Sequence, residues 1–213
     1  MWRSGLALLF VCATGCVDTG VPVEDAGTDS GACADPYDPV DGYRFDCPLV
    51  LDDVHTMGLD PAALPAGTAP CHAPQLAMVT RGVDGDTIHV AYVGGASDVD
   101  IRFIGVNAPE IMHPPDPTPA QCYGNEARDF TRMALEGHLV WLTYGESCTD
   151  MYGRTLAFVN LGPNRNDSFQ RQLQRRGYSR IYTFSDNPDY ASTYQADQDY
   201  AMSTAAGLWG ACP

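Results

Sequence analysis

Short segments in which apolar and polar residues alternate follow one another through the middle of the chain. Alternation with a period of two is typical of strands that bury one face. The pattern predicts strands at residues 76–81, 87–93 and 99–106. In the third, Ile101 and Phe103 lie on one side, whereas Arg102 and Ile104 lie on the other.

Apolar residues then recur with the period of a helix. Residues 123–136 predict a helix with Phe130 on its apolar face, and strand character returns at 138–144 and 154–161. Capping residues at 166–168 precede a second helix with Phe169 inward, and a third helix follows Pro188. This order predicts a single α+β domain with a small barrel and about three helices.

The first residues have the features of an export signal of the lipoprotein kind. Arg3 supplies a positive start, residues 6–12 an apolar run, and small residues precede Cys16. The apolar run is too short to span a bilayer. We expect residues 1–15 to be removed and Cys16 to carry acyl chains that attach the protein to a membrane, with Val17 indicating the outer one. The alternative interpretation is an ordinary secretory signal, in which Cys16 would have no such role.

Residues 16–70 are rich in Asp, Gly and Pro. A segment of this composition buries too little apolar surface to offset the entropy of ordering it. We therefore predict a disordered acidic tether, although the more apolar stretch 43–51 suits packing on the domain. A calcium-binding role for its aspartates is the alternative, but no loop has regular ligand spacing. The folded domain is expected at residues 71–213.

Apart from Cys12 and Cys16, the cysteines form an even set: Cys33, Cys47, Cys71, Cys122, Cys148 and Cys212. An even number in an exported protein indicates disulfides. Zinc binding is disfavoured because no Cys-x-x-Cys pair occurs and the histidines are scattered. Among about 15 possible pairings we expect Cys33–Cys47, Cys122–Cys148 and Cys71–Cys212.

The charge balance limits how the chain interacts with nucleic acid. The formal net charge is -15, and all 12 basic residues are arginine. Nonspecific affinity for nucleic acid comes largely from cationic contacts with phosphates, so tight general binding is not expected. One basic cluster remains, either a solvated helix face or a DNA track: Arg165, Arg171, Arg175, Arg176 and Arg180.

Two stretches contain residues suited to phosphodiester hydrolysis. The first runs from Asp84-Gly85-Asp86-Thr87 through Arg102 and Gly105 to Asn107-Ala108-Pro109-Glu110, and the second is Asp150-Met151-Tyr152-Gly153-Arg154. Two arginines, a carboxylate and a divalent cation are the groups that such a reaction requires. Taken alone, Asp86 is either a metal ligand or a turn residue, and Arg102 either pairs with an acid or contacts a phosphate.

These motifs, in this order, resemble the staphylococcal nuclease family. The similarity covers about residues 74–210 and includes Gly124-x-Glu126-Ala127 and Gly207-Leu208-Trp209. It implies a five-stranded OB-fold, a barrel that often presents one face to nucleic acid.

The resemblance also implies a calcium site. Asp86, Asn107 and the carbonyl oxygen of Ala108 are the implied Ca²⁺ ligands. An aspartate stands in the type nuclease where this chain has Asn107, so we expect weak binding, submillimolar or poorer. Asp84 and Asp150 match family positions, and we expect structural roles for both.

For catalysis the resemblance implies Arg102 and Arg154 on the phosphate, with Glu110 as general base or water-positioning carboxylate. Tyr152 is an implied phosphate contact, with a core tyrosine as the alternative reading. Tyr182, together with Phe184, is implied to stack on a base. His113, in a proline-rich loop, is expected to be solvated rather than to contact substrate.

The sequence therefore favours an exported, calcium-assisted nuclease that acts as a monomer. The family implies DNA and RNA as substrates, a preference for single strands, and 3′-phosphate products. The alternative is a non-catalytic OB-fold module that binds nucleic acid or protein at the cell surface. Arg102, Arg154 and Glu110 are all present, which favours the enzyme.

Overall fold

The computed structural model describes residue 33 and residues 35–95, 98–115, 118–183 and 187–213. The predicted export signal, Cys16 and Phe184 lie outside the described residues. The strands are β1 (Tyr37–Asp38), β2 (Gly42–Tyr43), β3 (Gln75–Gly82), β4 (Thr87–Tyr92), β5 (Val99–Phe103), β6 (Val106–Asn107), β7 (Leu139–Thr143), β8 (Thr155–Asn160) and β9 (Arg180–Ile181). The helices are α1 (Asp53–Met57), α2 (Gly124–Leu135), α3 (Phe169–Arg175), α4 (Ala191–Ser203) and α5 (Leu208–Ala211), with short 3₁₀ turns at Pro61–Ala63 and Arg165–Asp167.

Five strands close into a barrel in the order β3-β4-β5-β8-β7. Their neighbours pair antiparallel, except that β5 and β8 run parallel. The predicted α+β fold with a five-stranded barrel is confirmed, and three of the five helices in the described residues have seven residues or more. Within that part of the chain, none of the helices has the length and apolar character needed to cross a bilayer.

The predicted alternation in β5 determines which side chains enter the barrel. Ile101 and Phe103 are fully buried in the main core cluster. Ile104, just beyond the strand, packs outside the barrel against Leu156 in a second cluster. Arg102 therefore lies on the outer face of β5, the face that the active-site candidates share.

Residues 35–70 contribute to the folded unit, although their composition predicts a disordered tether. Tyr43 and Leu51 belong to the main core cluster, as the apolar stretch at 43–51 suggested. The aspartates here build local structure: Asp52 caps α1, and Asp60 caps the 3₁₀ turn that follows. The compact unit of described residues therefore begins well before residue 71, because aspartate is a favourable capping residue as well as a solvating one.

The described residues contain three disulfides, and two of them differ from the predicted pairing. Cys33–Cys47 is confirmed. The other two are Cys71–Cys148 and Cys122–Cys212, so the expected Cys122–Cys148 and Cys71–Cys212 pairs are wrong. The reason is spatial: the N–H of Cys71 donates to the carbonyl of Gly145 at 2.8 Å, which places Cys71 beside the loop that holds Cys148. Cys122, which precedes α2, pairs instead with Cys212, which follows α5.

The arginine cluster around α3 contributes mainly to packing. Arg171 is buried and donates from Nε and Nη2 to Asp197 of α4 at 2.6 and 2.9 Å. Arg175 bonds to the same carboxylate and stacks 3.7 Å from the ring centroid of Tyr200. Arg176 donates to the Cys47 carbonyl. These three arginines hold helices and the N-terminal segment together, so neither the DNA track nor the solvated face describes them.

Candidate active site

The turn between β3 and β4 presents two acidic side chains. Asp84 Oδ1 accepts the N–H of Asp86 at 3.0 Å, and the Asp84 N–H donates to the Thr87 carbonyl at 3.3 Å. A Cβ at Gly85 would lie 2.5 Å from Cβ of Ala108, so only glycine lets the turn approach that loop. The sequence Asp-Gly-Asp thereby fixes both carboxylates beside the segment that follows β6.

Arg102 is buried beside this turn and contacts several groups at once. Its Nη1 donates to the carbonyls of Phe103 and Val106 at 3.0 and 2.8 Å, and its Nη2 donates to Asn107 Oδ1 at 2.8 Å. Nη2 also lies 3.2 Å from Asp86 Oδ2. Arg102 thus pairs with an acid and also fixes the β5–β6 turn, and these contacts engage both of its terminal nitrogens. Among the described residues no hydrogen bond is made by its Nε, which is the donor that remains for another anion.

Asp86 lies at the bottom of the same arrangement. It is 4% exposed, and its Oδ2 accepts the N–H of Ala108 at 2.6 Å. Burial raises the pKa of Asp86; Arg102 opposes this, and the nearby Asp84 carboxylate adds to the rise. Two neighbouring buried carboxylates form a region where a cation would be favourable.

Arg154 approaches from the loop before β8 and is oriented by Asp150. Its Nε donates to Asp150 Oδ2 at 2.7 Å, and the Asp150 side chain also accepts the N–H groups of Tyr152 and Arg154 at 2.9 Å each. The Arg154 side chain is about one-third exposed, at 33%. No hydrogen bond joins its two terminal nitrogens to any other group among the described residues, so they are available to an anion in the cleft.

The parallel pairing of β5 with β8 brings the two arginines to one side of the barrel. Arg102 is the register partner of Leu156, and Arg154 lies two residues before Leu156 on the same face. One cleft of about 540 Å³ contains both arginines. Its other lining residues include Asn107, Glu110, Asp150, Met151, Tyr152 and Tyr182.

Glu110 enters this cleft from the loop that precedes α2. Its N–H donates to Gln121 Oε1 at 3.1 Å, and its carbonyl accepts the Gln121 N–H at 2.8 Å. A Cβ at Gly124 would lie 2.4 Å from the Glu110 carbonyl oxygen, so the helix start can support this loop only with glycine there. The Glu110 side chain itself is 57% exposed, which leaves its carboxylate accessible to water.

The two candidate tyrosines lie on the cleft wall. Tyr152 is 75% exposed, so it is not a core tyrosine. The Cζ atom of Arg154 lies over its ring, 5.5 Å from the ring centroid. Tyr182 follows β9, and its N–H donates to the Gly105 carbonyl at 3.0 Å. Both rings are positioned to meet a substrate that enters the cleft.

One grouping was not anticipated from the sequence. Asp84, Glu110 and His113 each place a ligand atom within 4.8 Å of the others. Sequence analysis gave Asp84 a structural role and treated His113 as a solvated loop residue. No spacing signal could have found this set, because the turn and the loop are distant along the chain.

Other proteins are similar in sequence to this part of the chain. The family profile described as staphylococcal nuclease homologue matches residues 100–211, more than half of the chain. The chain is 37% identical over 135 residues to a thermonuclease of Staphylococcus hyicus, which covers 63% of this chain and 76% of that protein. This chain belongs to the staphylococcal nuclease family.

Two further relatives extend the comparison. A thermonuclease of Staphylococcus intermedius is 36% identical over 132 residues, covering 62% of this chain and 74% of its own. The endonuclease YncB of Bacillus subtilis is 29% identical over 165 residues, covering 75% of each chain. In this member of the staphylococcal nuclease family, Arg102, Glu110 and Arg154 all lie within the matched residues 100–211.

Proposed function

We propose that this chain is an exported nuclease that hydrolyses phosphodiester bonds with the assistance of calcium. The observation that carries the proposal is the single cleft lined by Arg102, Glu110 and Arg154. The relatives are named thermonucleases and endonucleases, which supports the same activity.

Each of the three residues has a role that its surroundings suit. The terminal nitrogens of Arg154 would bind the phosphoryl oxygens and stabilise charge that develops in the transition state. Arg102, held by its bonds to Asn107 and two carbonyls, would present a fixed donor to the same phosphate. The exposed carboxylate of Glu110 would position a water molecule and accept its proton.

The donors around the Asp-Gly-Asp turn fit a hard divalent cation. The family is calcium-dependent, and calcium takes carboxylate and carbonyl oxygens. Asp86, Asn107 and the Ala108 carbonyl remain the proposed ligands, although Arg102 already contacts the first two. When bound, the ion would supply positive charge that polarises the phosphate. Competition with Arg102, and the missing charge at Asn107, predict weak affinity.

The substrate proposal rests on the rim of the cleft. Tyr152 and Tyr182 present aromatic surface at the cleft, and stacking on such rings tolerates any base of a single strand. We propose single-stranded DNA and RNA as substrates, with 3′-phosphate products following from the family resemblance. The net charge of -15 predicts weak binding outside the cleft.

The place of action is proposed from sequence and from the cysteines. Three disulfides are typical of a protein that folds in an oxidising compartment. We propose export followed by attachment to the cell envelope through a lipid on Cys16, with the enzyme acting as a monomer. Labelling of the expressed protein with a fatty-acid analogue, with Cys16→Ser as control, tests the anchor.

The alternative of a non-catalytic binding module makes a different prediction. A module would bind a single-stranded oligonucleotide and leave it intact, whereas the proposed enzyme would cleave it in calcium and stop when a chelator is added. Digestion of a labelled oligonucleotide by the purified chain in both conditions separates the two. Binding without cleavage in calcium would overturn the nuclease proposal.

A further inference from the structure

A second cavity, of about 150 Å³, lies farther along β8 than the cleft. Leu156 of β8 lines the cleft, whereas Phe158 and Asn160, on the same face of the strand, line this cavity. Two residues along a strand correspond to about 7 Å. Pro65, from the segment that precedes the barrel, also lines it. In the described part of the chain the two sets of lining residues do not overlap, so the cavity is separate from the proposed catalytic groups.

Three aromatic rings form part of its wall. Phe158 and Tyr190 meet edge to face with their ring centroids 5.1 Å apart, and the Tyr194 centroid lies 6.3 Å from that of Tyr190. The Tyr190 hydroxyl donates to the Ala66 carbonyl at 2.6 Å, which fixes the position of its ring. In another protein, an apolar cavity of about 150 Å³ takes up a benzene molecule. The space therefore matches a single six-membered ring.

The charge of the lining is opposite to that of the chain. The chain has a formal net charge of -15, yet Arg165 and Arg171 line the cavity, and none of its described lining residues is acidic. Asp197, which pairs with Arg171, also accepts Arg175, so two cations share one carboxylate. The Arg165 guanidinium makes no ion pair or hydrogen bond within the described ranges. The local charge therefore favours an anion.

Ser168 adds a buried donor that lacks an acceptor. Its Oγ has no hydrogen-bond partner among the described residues, and the neighbouring Tyr194 hydroxyl lies outside hydrogen-bonding geometry. Ser168 precedes α3, but its side chain does not cap that helix. Buried hydroxyl groups normally have a partner. An acceptor on a bound ligand would supply one, and this observation is independent of the charge of the lining.

We propose that this cavity binds a small aromatic acid, meaning one planar ring that carries a carboxylate or phosphate group. The ring packs among the aromatic side chains, while the anion accepts the Ser168 hydroxyl and faces Arg165. A free aromatic acid and a pyrimidine nucleotide share this chemistry. The proposal does not depend on nuclease activity, because it uses none of the groups in the cleft.

Titration of the isotopically labelled full chain with benzoate, followed by NMR, tests the proposal. Benzyl alcohol supplies the ring without the charge, and acetate supplies the charge without the ring. We expect benzoate to bind at least about tenfold more tightly than either, because a hydrogen bond to a charged group contributes that much. Absence of saturable benzoate binding, or equal affinity for benzoate and benzyl alcohol, would overturn the proposal.

Two variants locate the binding. Ser168→Ala removes the donor and should weaken benzoate at least about tenfold. Thr193→Phe places a ring into the cavity from α4 and should abolish binding, whereas Ser192→Phe, at an exposed position that does not line the cavity, should bind like wild type. Wild-type affinity in either of the first two variants would overturn the proposal. If Thr193→Phe fails to fold, Ser168→Ala still decides.

Two further measurements separate this cavity from the cleft and identify the source of the ligand. Arg154→Ala should bind benzoate like wild type; an equal loss there would place benzoate in the cleft and overturn the proposal. Thymidine monophosphate is compared between wild type and Thr193→Phe, and only the binding lost in the variant is assigned to the cavity. If that binding is tighter than benzoate binding, the ligand is a nucleotide; if it is weaker, the ligand is a free aromatic acid. Either result supports a site for a ring with an anion.

Discussion

Replacement of Asp150 by alanine tests whether Arg154 must be held in one orientation to act. The Asp150 side chain is 6% exposed and accepts the Arg154 Nε at 2.7 Å. It also accepts the N–H groups of Tyr152 and Arg154 at 2.9 Å. The substitution leaves three donors without their acceptor and lets the guanidinium swing away from the cleft.

The expected size of the effect follows from these bonds. A hydrogen bond to a charged group contributes about 1.5–3 kcal/mol. If that energy positions Arg154 in the transition state, kcat should fall by roughly 10- to 150-fold. Removal of Arg154 itself should cost about 10²–10³ in rate. Because Asp150 acts through Arg154, the double replacement should be no slower than Arg154→Ala alone.

Single-turnover cleavage of a short single-stranded DNA oligonucleotide measures all four proteins of this cycle. Asp150→Asn keeps the shape and one acceptor oxygen, and it should retain more activity than Asp150→Ala. A folded Asp150→Ala with the wild-type rate would refute the positioning role. So would losses that multiply in the double variant, since they would mean that the two residues act independently.

The same pair predicts a pH dependence of stability. Burial alone would raise the pKa of Asp150, but bonds from Arg154 and from the N–H of Tyr152 outweigh it and hold the pKa below the ordinary value of 3.8. The pairing therefore stabilises the fold above about pH 4, and this contribution is lost as pH falls through the lowered pKa. The difference in unfolding free energy between wild type and Asp150→Asn should be constant near neutrality and shrink in acid.

Three further substitutions have distinct expected outcomes. Arg102→Ala should lower the free energy of unfolding by about 3–5 kcal/mol in denaturant titrations, because Asp86 would be left as an unpaired buried charge. A loss below about 1 kcal/mol would contradict a structural role for the contacts of Arg102. Replacing Cys71 and Cys148 together by serine removes a disulfide that links residues 77 positions apart and should lower the free energy of unfolding by about 4 kcal/mol. The replacement should also lower kcat, because Cys148 adjoins the loop that carries Arg154. An unchanged kcat would contradict this. Tyr152→Ala should raise KM for single-stranded DNA by about 5- to 150-fold, the equivalent of about 1–3 kcal/mol of stacking, and an unchanged KM would exclude that contact.

The barrel and one face of the site could be predicted because they depend on local patterns. The alternation of Ile101 and Phe103 with Arg102 fixes which side chains enter the core, and strands express that period directly. The parallel register of β5 with β8 then brings Arg154 to the face that carries Arg102. The family motifs supplied the order of these segments.

Features that depend on distant contacts could not be predicted in the same way. The pairing of Cys71 with Cys148 depends on where the N-terminal segment runs, and composition gives no direction for that path. Aspartates in residues 35–70 indicated a tether, yet Asp52 acts as a helix cap that only the structure identifies. The approach of His113 to the turn likewise arises from the fold of a loop, which has no periodic signal.

The central claim is that the guanidinium groups of Arg102 on β5 and of Arg154, just before β8, act on one phosphate in one cleft. The most direct test measures affinity and single-turnover cleavage together, for wild type, Arg154→Ala and the control Arg128→Ala, whose arginine lies on α2 and pairs with Asp129. We predict that Arg154→Ala binds a single-stranded oligonucleotide within a few-fold of wild type but cleaves it about 10²–10³ times more slowly, while Arg128→Ala behaves as wild type. Cleavage by Arg154→Ala at the wild-type rate would contradict the account.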